Sequence, residues 1–254
     1  MRSIVDSPFF FFISLVALWF SALIGAFVGK RLRPLDEGER QDFTVVLTAT
    51  LTLLALIIGF SFSMAIGRYD QRKNYEEAEA NAIGTEYVRA DLLPADDAAK
   101  VRELLKNYLD QRVLFYETRD VSQLAGIDVE TAQLQTRLWS VVQATAAKQP
   151  TCTIALAVSG MNDVLNSQGY TQAAWWNRIP LPAWGLMAAL AILCNLLLGF
   201  DYSSRPRRAV LLLVLPVTLS ISFFLLADMS SPRHGFIRVV PENLISVSKS
   251  LRAQ

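Results

Sequence analysis

Residues 43–93 constrain this chain more than any other stretch. The run opens FTVVLTATLTLLALIIGFSFSMAIG, uncharged and long enough to cross a bilayer, and passes into RYDQRKNYEEAEANAIGTEYVRADLL with no proline to stop a helix. The pattern predicts one continuous helix of about 75 Å against a hydrocarbon core of about 30 Å, so more than a third of it stands outside the membrane. One rod therefore joins two solvents.

A single face of that rod is small or polar along its length. Thr48, Thr52, Ala55, Gly59, Ser63 and Gly67 mark it in the apolar half, and Asp70, Asn74, Glu77, Asn81 and Gly84 continue it in the polar half, always at steps of three or four. Two readings follow. Small residues four apart let transmembrane backbones approach closely, so the stripe can be a packing seam. Alternatively it faces a water-filled axis shared between subunits, with hydroxyls replacing ion hydration and the acids and amides forming a vestibule.

Composition agrees with a membrane protein. Of 254 residues 52% are hydrophobic, mean hydropathy is +0.32, and four apolar runs account for the excess. A net charge of +1 with no basic patch interleaved with aromatics argues against nucleic acid as a partner. The two cysteines, Cys152 and Cys194, cannot build a disulfide framework and read as packing residues.

The first span, PFFFFISLVALWFSALIGAFVG at 8–29, is followed directly by Lys30, Arg31 and Arg33 and reads as an anchor rather than a cleaved leader. Ser21, Gly25 and Gly29 repeat every four residues within it and predict a tight contact with another helix, the stripe being one candidate partner. Asp42 is expected to cap the second helix and Pro94 to end it. Amphipathic helices are then expected from caps at Asp96 and, past a turn at Gly126, at Asp128, with a third after Pro150. Trp175, Trp176 and Arg178 suit a return to the interface, and Pro180 and Pro182 open a third span. In that span Asn195 is expected to bond across helices. The fourth span, 209–227, should be kinked by Pro216, with Thr218, Ser220 and Ser222 serving the freed backbone groups, and should end at Asp228. In the tail, Pro241 starts a short helix with Leu244, Val247 and Leu251 on one face.

The expected fold is therefore all-α, with four transmembrane helices and a long second helix continuing into an extra-membrane helical bundle. Its divisions are 1–67 (spans one and two), 68–177 (bundle), 178–228 (spans three and four) and 229–254 (a tail packed on the bundle). The cations near span ends are equal in number on the two sides but denser in the short loops, which favours placing those loops in the cytoplasm.

No catalytic group assembles from these residues, and no enzyme activity or cofactor is expected. One histidine, His234, excludes a two-histidine metal site, and P-loop, GxSxG and dinucleotide fingerprints are all missing from the sequence. His234 beside Arg233 reads as an exposed turn residue, and Glu76, Glu77 and Glu79 as a solvated charge run.

At LIIGFSFSMAIGRYDQRKNYEEAEANAIGTEYVRADLLP and at PRHGFIRVVPENL the sequence resembles the bestrophin-like membrane proteins of bacteria, over residues 8–250. Bestrophins proper look similar over the same element. The resemblance implies a pentameric, anion-conducting channel of the cell inner membrane whose second helix lines the axis. By position, Gly59, Ser63 and Gly67 would approach the pore, Phe60 and Phe62 would be neck candidates, and Arg68 and Asp70 would lie at the membrane edge. This chain departs from that pattern in its small, polar stripe, where bestrophin necks carry bulky apolar side chains, and it shows no acidic cluster like the bestrophin calcium clasp. The bestrophin orientation would also put the bundle in the cytoplasm. The implied partners are membrane lipid and further copies of the chain; the competing reading is a non-conducting scaffold or sensor whose bundle binds a partner.

Overall fold

The computed structural model describes residues 9–32, 36–202, 212–233 and 235–253, so His234 and most of the loop between the last two apolar helices lie outside the description. Every regular element among the described residues is helical: α1 Phe10–Arg31, α2 Glu37–Arg89, α3 Ala95–Glu117, α4 Val121–Lys148, α5 Cys152–Trp176, α6 Leu181–Tyr202, α7 Val214–Ser230 and α8 Glu242–Arg252. The chain divides into two compact units. One holds residues 1–67 and 178–237; the other holds 68–177 and 238–254.

The long helix is unbroken over 53 residues, about 80 Å at the standard rise. It starts five residues before Asp42. Asp36 accepts from the Glu39 amide at 2.8 Å while the Glu39 carboxylate accepts from the Asp36 amide at 3.1 Å, a reciprocal cap that fixes the start. At the other end a 3₁₀ turn over Ala90–Leu92 leads to Pro94, which occupies the cap position of α3 and leaves Asp96 and Asp97 in its first turn. There the acids favour the positive end of the helix. α4 also begins earlier than Asp128: Asp120 accepts from the Ser122 amide at 2.8 Å and Gly126 lies inside the helix. Glycine there costs about 1 kcal/mol of propensity, which the buried row of Ile127, Leu134, Leu138 and Val142 overrides.

In the first unit, α1 and α6 approach backbone to backbone. A methyl placed on Gly25 would overlap the Leu196 carbonyl, and one on Gly199 would overlap that of Ala22, while Ser21 Oγ donates to Ile192 O at 2.8 Å. The partner of the Ser21–Gly25 repeat is thus α6 and not the stripe on α2. Asn195 donates to Ala191 O of its own helix at 2.8 Å rather than across helices. Phe10, Trp184 and Phe223 stack edge to face along the same seam. Pro216 is the third residue of α7, where no backbone N–H bond is lost, so the expected kink has no cause. α7 continues past Asp228, whose carboxylate accepts from the Phe236 and Ile237 amides at 2.6 and 2.8 Å and ties down the segment after the helix.

Among the described residues three stretches have the length and apolarity to cross a membrane: Phe10–Arg31, Glu37–Leu92 and Cys152–Tyr202. Val214–Ser230 is apolar but shorter.

The second unit is a bundle around one apolar core that includes Ile83, Val101, Leu105, Leu138, Met161 and Leu244. Its last helix, α8, buries Leu244 and Leu251, with Val247 half-buried against the core. Cys194 is buried as a packing residue, but Cys152 is exposed at the start of α5.

Candidate functional site: the two faces of α2

The outward face of α2 carries the stripe seen in the sequence. Thr48, Thr52, Ala55, Gly59, Ser63, Gly67, Asp70, Asn74, Glu77 and Asn81 are all exposed, and Gly84 is half-buried, a methyl built on it standing 3.7 Å from Val247 of α8. Nothing approaches within 4 Å of a methyl built on Gly59 or Gly67. Thr52 donates its hydroxyl to Thr48 O at 2.8 Å, so its proton is satisfied within the helix and its oxygen lone pairs face outward.

Phe60 and Phe62 flank the stripe on opposite sides. Phe60 is 62% exposed. Phe62 is half-buried beside α7 and lines an apolar groove of about 690 Å³ with Leu54, Ile58, Leu215 and Leu219, and the stripe residues Ala55 and Gly59 border the same groove. Arg68 is half-buried at the end of the apolar half, and its carbonyl accepts from Arg72 Nε at 3.1 Å.

The inward face is the stripe's opposite. Leu54, Ser61, Ala65, Arg72, Glu76, Glu79, Ile83, Glu86 and Ala90 are buried at steps of three, four and seven that place them half a turn from the stripe. Within the apolar half the burial is thin. Only 6% of the most apolar window of α2 is covered by the chain, against 28% of that of α1.

Two of the three acids read as a solvated run are buried. Glu79 receives Arg112 through Nε and Nη2, together with Thr171 Oγ1 at 3.1 Å and Tyr116 OH at 3.4 Å. Glu76 accepts from Asn243 Nδ2 at 2.7 Å and from the Leu244 amide at 2.9 Å, closing the first turn of α8 from outside. Only Glu77 is exposed. Burial alone would pull the Arg112 guanidinium down, but the Glu79 carboxylate and Tyr108 outweigh it and hold it above its ordinary value. Burial first, and the Glu79 charge second, push the Tyr108 and Tyr116 hydroxyls well above theirs, so both stay protonated and neutral. The signal for this network was present in the sequence. Glu76, Glu79 and Glu86 share a row with Ile83 and Ala90, whereas Glu77 shares one with Asn74 and Asn81.

Among the described residues no group of three or more His, Cys, Asp or Glu side chains is placed to hold a metal ion. What α2 offers is an exposed strip of hydroxyl and glycine in its apolar half and of carboxylate and amide in its polar half, on a helix longer than a bilayer is thick.

That arrangement defines an all-α membrane protein built on one helix that extends beyond the apolar layer. The chain belongs to the family of the bestrophin-like domain, whose model matches residues 11–244. A search of curated protein sequences finds no match. Among solved structures, a bacterial bestrophin homologue from Klebsiella pneumoniae is similar at a TM-score of 0.65 and 14% identity, over 95% of this chain and 97% of that one. A substituted form of that homologue gives 0.67 and 13%, again over 95% and 97%. A crystal structure described as a membrane protein gives 0.66 and 14%, over 98% and 97%. At such identities the likeness is one of fold.

Proposed function

We propose that this chain is the subunit of an oligomeric ion channel of the cell inner membrane, crossing it four times, with the outward face of α2 lining a shared axis. The observation that supports this reading is the exposure of the stripe from Thr48 to Asn81. The same subunit does use glycine for close packing, at Gly25 and Gly199, yet leaves Gly59 and Gly67 open. A helix so little covered needs lipid or further subunits around it, and a stripe running from Thr48 to Asn81 suits neighbours around a wet centre better than acyl chains. We infer a pentamer and anions as the permeant ions only from the resemblance to bestrophins.

The charge of the permeant ion has a second, specific argument. Asp70 and Glu77 are exposed acids on the stripe itself, and repeated around an axis they would concentrate cations and repel anions. Native mass spectrometry of the protein in nanodiscs tests the assembly: a ring of identical subunits is expected, and a monomer or dimer would remove the channel in favour of a scaffold. Cysteines introduced at Thr52, Gly59, Ser63 and Gly67 should react with a water-soluble thiol reagent; silence at all four would leave the stripe as a packing seam. Reversal potentials under a salt gradient then decide the ion, and Asp70→Asn with Glu77→Gln should shift them toward anions if the acids select cations.

A further inference from the structure

Glu86 is the one buried carboxylate of α2 that nothing satisfies. Glu76 and Glu79 sit on the same face, are as deeply buried, and meet hydrogen-bond donors at both oxygens. Glu86 is fully inaccessible to solvent, and neither of its oxygens has a partner. Its carboxyl lies against Gly160 of α5, where even a methyl group would overlap Oε2, so α5 lacks a side chain at the point where the acid is packed.

Arg89 brings its guanidinium to the same point of Gly160 and its charge favours the ionised acid, yet it makes no hydrogen bond to either Glu86 oxygen. Arg89, one turn further along α2, extends Nη1 to within 3.9 Å of Asp163 Oδ2 on α5. From α3, Arg102 pairs with Asp91 and the Tyr87 carbonyl, while Lys106 stands 5.5 Å from the Tyr87 ring. A buried ionised carboxylate with no donor is unfavourable enough that such a group takes up a proton instead. Burial pushes Glu86 up to about 8; Arg89 pulls it down and Asp163 adds to the rise.

We propose that Glu86 is a proton-binding site of the helical bundle: a neutral carboxyl closes the seam between α2 and α5 at Gly160, and loss of the proton opens it. The inference is independent of whether the protein conducts. When the seam opens the acid meets water and regains an ordinary affinity for protons, so each opening above neutral pH releases one.

Hydrogen exchange on the full-length protein in nanodiscs tests this directly. After correction for intrinsic exchange, amides of α5 around Gly160 should lose protection on the order of tenfold or more between about pH 6 and about pH 9, and Glu86→Gln should abolish the difference. Unchanged protection in the natural protein, or an equal loss in Glu86→Gln, overturns the proposal. Should that variant fail to fold, infrared spectra of natural protein carrying carbonyl-labelled glutamate provide the second measurement. A protonated glutamate carbonyl band should be present at about pH 7 and vanish above about pH 8, where the ordinary carboxylates have long been ionised. Its absence at neutral pH overturns the proposal as well.

Discussion

Glu77 and Glu79 stand two residues apart on α2, alike in chemistry and opposite in circumstance. Glu77 is exposed on the stripe with Asn74 and Asn81; Glu79 is sealed from solvent with Arg112, Tyr116 and Thr171 around it. The same contrast separates glycines. Gly25 and Gly199 lie in backbone contact between α1 and α6, and Gly59 and Gly67 meet nothing. Residue type and spacing are shared across each pair, so neither an acid in a run nor a glycine in a span declares its own role. The face it occupies does, and a face has meaning only once a neighbour covers it.

Substitutions on the covered side should be costly and those on the open side nearly silent. The largest effect is expected for Arg112→Met, which strands the buried Glu79 charge. A loss of about 3–5 kcal/mol is expected in denaturant unfolding of the bundle, and the double variant with Glu79→Gln should recover part of it. If Arg112→Met left stability unchanged, Glu79 would not be held as an ion.

The pH dependence comes next. Glu86 binds its proton more tightly folded, at about 8, than at its ordinary 4.5. The folded state therefore carries more bound protons between those values, and stability falls as pH rises through that window. The contribution is fully present below the lower value and gone above the upper one. The expected drop is at most about 5 kcal/mol, read as a falling melting temperature between those limits that Glu86→Gln flattens.

Gly25→Ala and Gly199→Ala should each cost about 1–3 kcal/mol or more, because the added methyl meets backbone, which cannot swing aside as a side chain does. The open counterparts, Gly59→Ala and Glu77→Gln, should fall within about 0.5 kcal/mol in the same thermal unfolding of the isolated subunit. A large loss at Gly59 with assembly abolished would place a neighbouring helix on the stripe. Unchanged assembly with altered flux would place water there.

Much of the architecture is legible in the sequence alone. The apolar run without proline required a helix through and beyond a bilayer, and prolines at 94 and 150 put breaks where α2 and α4 give way to the next element. Helix starts were less legible. Asp36, Asp120 and Thr151 cap α2, α4 and α5, and Asp42 and Asp128, equally good caps by type, lie inside helices. A cap is chosen by where the backbone leaves the extended region, and several acids in a row leave that choice to packing.

By itself the sequence determined the helical period of α2, its length, the apolar runs and the small, polar stripe, because these depend on neighbours three or four residues away. Only the tertiary structure decided which acids are buried and which glycines pack. The Glu79 partners Arg112 and Thr171 lie 33 and 92 residues along the chain, and the Leu244 amide that binds Glu76 lies 168 residues away. A local pattern carries no record of what folding brings against it from that distance, and in the low dielectric of the bundle it is the partner that makes a buried charge stable.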